Sequence, residues 1–114
     1  EAVDGSLVVS GRVDGIGGDG LRSLAFQVRD RVRSGIGILG SVTAGKAALI
    51  VFVTDDLVAT GVSAGDLAGA GSVALGGGGS RDPRLSQAGG PNADQIDEAV
   101  DTSRLEALAA LRAT

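Results

Sequence analysis

Apolar residues along this chain come in short runs broken by glycine, and the period changes from run to run. Residues 7–13 (LVVSGRV) are rich in β-branched side chains and predict a strand. A glycine-rich loop over 14–18 follows. Asp19 then stands as the N-cap of a helix over about residues 20–34. Within it Leu21, Leu24, Ala25, Val28 and Val32 recur at helical spacing and make one apolar stripe. Gly35 occupies the position of a C-cap glycine.

Residues 36–42 (IGILGSV) predict a second strand and 47–53 (AALIVFV) a third. The third has no polar alternation, which is the pattern of a central strand buried on both faces. Thr43, Ala44, Gly45 and Lys46 would join these two strands as an antiparallel hairpin. Ser63 caps a helix over 64–75, with Asp66 at the capping-box position. Gly65, Gly69 and Gly71 lie inside it. Each interior glycine costs up to about 1 kcal/mol against alanine, so packing must hold this helix. The expected return is close approach of its backbone to the sheet.

A short apolar stretch over 85–88 leads to Gly89, Gly90 and Pro91. Asn92 and Gln95 repeat the capping-box pattern before an Ala/Leu-rich helix through Leu111, with a break expected near Thr102 and Ser103. The element order predicts an α/β fold, a single domain over residues 1–114 with a mixed β-sheet flanked by helices.

Composition narrows the function. A chain of 114 residues makes one domain, able to bury roughly two thirds of its unfolded surface. It contains no Cys, His, Met, Trp or Tyr, and its aromatic residues are Phe26 and Phe52. Without Cys there is no disulfide, thiolate nucleophile or Cys-based zinc site. Without His, a Ser-His-Asp or Cys-His mechanism cannot be built. Carboxylate or Lys catalysis stays open on composition; the expectation is no catalytic residue, no metal site and no cofactor of its own. Asp55 and Asp56 lack a third ligand and read as caps of a helix or turn. The shortage of aromatics argues against binding of single strands by successive base stacking. No apolar run approaches the ~20 residues of a membrane span. The lack of Cys fits a reducing compartment, and a cytoplasmic location is expected. A chain that begins at Glu1 without Met reads as an excised piece of a longer protein.

The net charge is −4, which excludes a strongly basic nucleic-acid binder on average charge. Local patches matter more than the sum. Nine of the ten basic residues are Arg, grouped at 22–33 and at Arg81 and Arg84, while acids concentrate over 94–106. Residues 76–90 (GGGGSRDPRLSQAGG) carry the most information. Gly76, Gly77, Gly78 and Gly79 would let backbone N–H groups converge on an anion without obstruction. Arg81 and Arg84 add guanidinium forks suited to phosphate. Ser80 and Gln87, polar neighbours in the same segment, are candidates for the same phosphate contact. The terminal Lys-Ser/Thr of a nucleotide-hydrolysing P-loop is absent. The same residues also fit plain turns, with Arg81 paired to Asp82 or Asp66. Arg22, Arg29 and Arg33 share nearly one azimuth on the first helix and are weaker candidates for a phosphate backbone. A solvated face with helical ion pairs is the alternative. Lys46, at the hairpin tip, is a further weak candidate.

The chain also resembles a known family. Residues 42–49 (VTAGKAAL) look like the "S-x-A-D-G-K-V-x-L" hairpin of bacterial alanyl-tRNA synthetases. Residues 53–57 (VTDDL) resemble their "V-T-K-D-L", and 63–67 (SAGDL) their "H-A-G-E-L". Residues 76–90 are similar to "G-G-K-G-G-G-R-P-D-M-A-Q-A-G-G", and 97–99 (DEA) to the start of "D-E-A-L". These matches keep their order from about residue 7 to 112. The part resembled is the C-terminal globular, DHH-associated (C-Ala) domain. The resemblance implies a tRNA-binding part of an alanine–tRNA ligase, contacting the outer corner (elbow) of tRNA(Ala). It implies other domains of the same synthetase that use ATP, Mg and Zn for aminoacylation and editing, and it allows a homodimer. Two rivals remain open: the substrate-binding part of a DHH-type phosphoesterase, and a dimerisation module without RNA binding. In related DHH-associated domains a "G-G-H/R" loop holds substrate, and Arg81 would carry that role here.

Overall fold

The computed structural model describes residues 2, 3 and 5–113. Five strands form one sheet in the order β1-β2-β3-β4-β5. They are β1 (Ala2–Val3), β2 (Ser6–Arg12), β3 (Gly35–Thr43), β4 (Lys46–Val53) and β5 (Leu85–Gly90). β2 and β3 are parallel, and the other neighbours are antiparallel. Helix α1 (Gly18–Asp30) makes the crossover between the parallel pair. The remaining helices are α2 (Asp55–Val58), α3 (Ala64–Leu75) and α4 (Ile96–Ala113), the last preceded by a 3-10 turn, Ala93–Gln95.

The expected mixed α/β architecture is present. The apolar run 47–53 is β4, sandwiched between β3 and β5 and buried from Leu49 onward. Its alternate residues serve two cores. Ile50 and Phe52 meet Leu21 and Ala25 of α1 on one face. Leu49, Val51 and Val53 meet Leu67 and Leu75 of α3 and Ile96, Leu108 and Leu111 of α4 on the other. The β3–β4 hairpin turns on Ala44 and Gly45, at φ 53° and 76°. Positive φ at both central residues is the type I′ pattern that matches strand twist.

Several local expectations change. The cap of α1 is Gly17, so Asp19 lies in the first turn. The helix stops at Asp30, where the Arg31 and Val32 N–H groups donate to the Val28 and Arg29 carbonyls. Val32 still packs on the α1 core from that turn, which is why the apolar stripe outruns the helix. Gly35 is the first residue of β3 and not a C-cap. A Cβ there would lie 2.3 Å from the Leu7 carbonyl oxygen. Ser63 holds the N-cap position of α3 without a capping side-chain bond, and the Ala64 N–H donates to the Pro83 carbonyl instead. Asn92 likewise makes no side-chain capping bond to the turn that follows it, and its side chain donates instead to the Ala74 carbonyl in the last turn of α3. α4 runs unbroken through Thr102 and Ser103. Ser103 is fully buried, and its hydroxyl donates to the Leu67 carbonyl at 2.8 Å, tying α4 to α3.

Candidate nucleic-acid interface

The glycine run begins as the end of α3. Gly76 takes the left-handed conformation (φ 75°), and its N–H donates to the Ser72 and Val73 carbonyls. The chain then runs back along the free edge of β5. Gly79 bridges Ala88, the Ser80 N–H donates to Gln87 O (2.9 Å), and the Gly89 N–H donates to Gly78 O (3.3 Å). The contact is too close for side chains. A Cβ on Gly77 would lie 1.9 Å from Gly89 O, and one on Gly79 would lie 1.9 Å from Gln87 O. Gly78 alone of the four faces open space. Three of the four glycines thus have a structural reason, and Gly78 is left available to a ligand.

Between this segment and α3 lies a groove of about 420 Å³. Gly78, Gly79, Ser80 and Arg81 form one wall, and Gly65, Asp66, Gly69 and Ser72 the other. The α3 glycines have distinct tasks. A Cβ on Gly65 would lie 2.8 Å from the Arg81 backbone, while Gly69 opens onto free space. One on Gly71 would meet Ser103 of α4 at 2.4 Å and Leu49 of β4 at 2.7 Å. The close approach expected of this helix is therefore to the loop and to α4 as well as to the sheet.

Arg81 is exposed and, among the described residues, has no ion-pair partner; it pairs with neither Asp82 nor Asp66. Ser80 is used internally, since its Oγ accepts from the Gln87 N–H at 3.0 Å. The Gln87 side chain points to the opposite face and donates to Gly18 O at 3.0 Å, joining β5 to the start of α1. Gln87, Gly76 and Gly77 therefore do not line the groove.

Arg84 is fixed from three sides. Its N–H donates to Asp82 Oδ1 (2.8 Å), its carbonyl accepts from the Val53 N–H (2.9 Å), and its Nε donates to Asp55 Oδ1 (2.9 Å). The Asp82 carboxyl is held below its usual range by the Arg84 and Leu85 N–H groups, helped by the charges of Arg84 and Arg22. Arg84 and Arg29 line a second cleft of about 320 Å³ with Val53, Thr54 and Asp55. Arg22 and Arg29 lie over the Phe26 ring, at 5.6 and 4.8 Å from its centroid. The α1 arginines and the glycine–arginine loop, far apart in sequence, thus meet at the β5 edge of the sheet. Arg33 lies beyond the end of α1 and is not part of this stack. Lys46 stands at the far end of β4, about 23 Å away at ~3.3 Å per residue. It borders a separate hollow with Gly17 and Gly18.

A scan against protein-family models finds no match. An alanine–tRNA ligase of Acidothermus cellulolyticus is 41% identical over 114 residues, covering 97% of this chain and 12% of the ligase. One of Salinibacter ruber is 43% identical over 104 residues, covering 88% of this chain and 11% of the ligase. The C-Ala domain of Aquifex aeolicus alanyl-tRNA synthetase matches in structure with a TM-score of 0.81 at 24% identity, covering 94% of this chain and 96% of that one. Alanine–tRNA ligases are thus homologues of this chain over about nine tenths of its length or more. The chain carries the C-Ala fold and spans about an eighth of the length of the relatives it matches.

In this C-Ala domain, reasoning from sequence missed Phe26 and Asp55. The 22–26–29 spacing of Arg, Phe and Arg was a visible signal, because residues three and four apart adjoin on a helix. Asp55 gave no comparable signal, since its partner Arg84 is 29 positions away. Asp55 and Asp56 do open a helix, the four-residue α2. Among the described residues of the domain, no three His, Cys, Asp or Glu side chains gather to hold a metal ion. No helix among them is long and apolar enough to cross a membrane.

Proposed function

We propose that this C-Ala domain is a non-catalytic tRNA-binding module of an alanine–tRNA ligase. It holds tRNA(Ala) by its backbone, at the elbow, while other domains of the same enzyme aminoacylate and edit it. ATP, magnesium and zinc chemistry belongs to those domains on this reading, and the whole works in the cytoplasm.

One observation carries the proposal. An unpaired, exposed Arg81 borders the groove beside the open backbone of Gly78, with Arg84, Arg29 and Arg22 along the same edge. Guanidinium forks beside bare backbone suit phosphodiester oxygens. Contacts of this kind read shape and charge with little regard to sequence, which fits a tRNA corner. The identity of the relatives favours this reading over the phosphoesterase rival.

The test is a titration of labelled tRNA with the chain and with its Arg81→Ala/Arg84→Ala variant at two salt concentrations. The native chain binds weakly and loses affinity with salt. The double variant binds more weakly, and its log–log salt slope is shallower by about 1–2. No binding by the native chain at low salt contradicts the proposal.

A further inference from the structure

The cleft between α1 and the start of β5 has a feature that general RNA binding does not require. It is a two-arginine site with one acid set against it. Arg29 enters from α1, half-buried, with its guanidinium held over the Phe26 ring. Arg84 enters from the loop with its backbone locked at both N–H and C=O. The Arg29 guanidinium and the Arg84 backbone are therefore pre-positioned, which lowers part of the ordering cost of binding an anion. The Thr54 hydroxyl is not free to serve there. It accepts from the Gly35 N–H and donates to Asp56 Oδ1. Asp56 is turned to Ser34 and Thr54. That leaves Arg29, Arg84 and the Asp55 carboxylate as the charged groups lining the cleft.

Asp55 takes the Nε–H of Arg84 at 2.9 Å, with the Asp55 side chain 82% exposed and the Arg84 side chain 62% exposed. An ion pair so open to water contributes little to stability. It does place a carboxylate on the edge of the guanidinium fork that an incoming oxyanion would use. We infer that the Arg29–Arg84 cleft is a binding subsite for a phosphate group of a nucleic-acid backbone, and that Asp55 is its built-in competitor, displaced when phosphate enters. Asp55 thus sets the affinity of the site low. This rests on the tRNA-binding reading for its natural ligand, while the anion chemistry stands on the cleft itself.

The experiment follows the arginine Nε–H resonances of the ¹⁵N-labelled chain while inorganic pyrophosphate is added. The native protein is compared with Asp55→Asn, Arg29→Lys and a remote control, Asp94→Asn. The Arg29 and Arg84 signals should shift together along one binding curve. Asp55→Asn should tighten binding about three- to tenfold, because a like charge a few Å from the anion is removed at a wet surface. Arg29→Lys keeps the charge but loses the fork, and should weaken binding several-fold. Asp94→Asn should change nothing. Unmoved Arg29 and Arg84 signals, or an Asp55→Asn affinity equal to native, overturn the inference. The same proteins are then titrated with tRNA, where Asp55→Asn should again bind more tightly. If pyrophosphate behaves as expected and tRNA does not bind, the cleft stands and the tRNA reading fails. If native protein binds tRNA and Asp55→Asn is without effect in both titrations, the tRNA reading stands and the cleft inference fails.

Discussion

Phe52 lies opposite Gly37 in the β3–β4 register, fully buried, with its ring across the space a side chain would fill. A Cβ on Gly37 would lie 1.9 Å from Phe52 Cε2. The largest side chain of the α1 core therefore depends on a missing methyl group. Gly37→Ala should cost about 1–3 kcal/mol by overpacking, read as a lower urea midpoint at unchanged slope. Asp56 gives a second test at this scale. Its carboxylate accepts from the hydroxyls of Ser34 (2.5 Å) and Thr54 (2.6 Å), which hold its pKa below the usual value. A lowered folded pKa contributes stability that is fully present above the unfolded value of about 4. That contribution is lost as pH falls through the folded value. With no His in the chain, no side chain ordinarily titrates near neutrality, so stability should be nearly flat between about pH 5.5 and 7 and fall below about pH 4. Asp56→Asn should make the acid decline shallower in denaturation series at stepped pH. An unchanged decline contradicts the role assigned to these hydroxyls.

The elements show why some of this was readable in the chain and some was not. β4 was legible because a strand buried on both faces needs an uninterrupted apolar run, and 47–53 has one. The hairpin was legible because its tip is Ala-Gly between two such runs. The end of α1 was not, because Val32 reaches the core from a turn and mimics another helical step. β1 was missed because two residues carry no periodicity, and α2 because four residues are too short for one. Within the candidate site, the Gly/Arg composition singled out the segment that forms one wall of the groove, but its glycines look identical in sequence. Their roles separate only when β5 lies against them. Gly79→Ala should detach the loop from β5, because its Cβ would meet Gln87 O at 1.9 Å. Hydrogen exchange at the Ser80 and Gly89 N–H groups should accelerate in that variant. Gly78→Ala should leave the same protection intact while weakening tRNA binding, since its backbone faces open space. Equal protection in both variants contradicts this division of roles.

Across the whole molecule, charge is sorted by the sheet. α1 and the turn after it carry Arg22, Arg29, Arg31 and Arg33 against Asp19 and Asp30. On the other face, α4 and its preceding turn carry Asp94, Asp97, Glu98, Asp101 and Glu106 against Arg104 and Arg112. A net charge of −4 thus conceals one basic side, which meets the glycine–arginine loop at the β5 edge. Such an arrangement would orient a polyanion toward that edge and away from α4. The most direct test is a map of backbone amide shifts in the ¹⁵N-labelled chain as tRNA is added at low salt. The largest changes should fall on Gly78, Ser80, Arg81 and Arg84, with smaller ones on Arg22 and Arg29, and α4 should stay still. Changes confined to α4, or none at any tRNA concentration, would contradict the account.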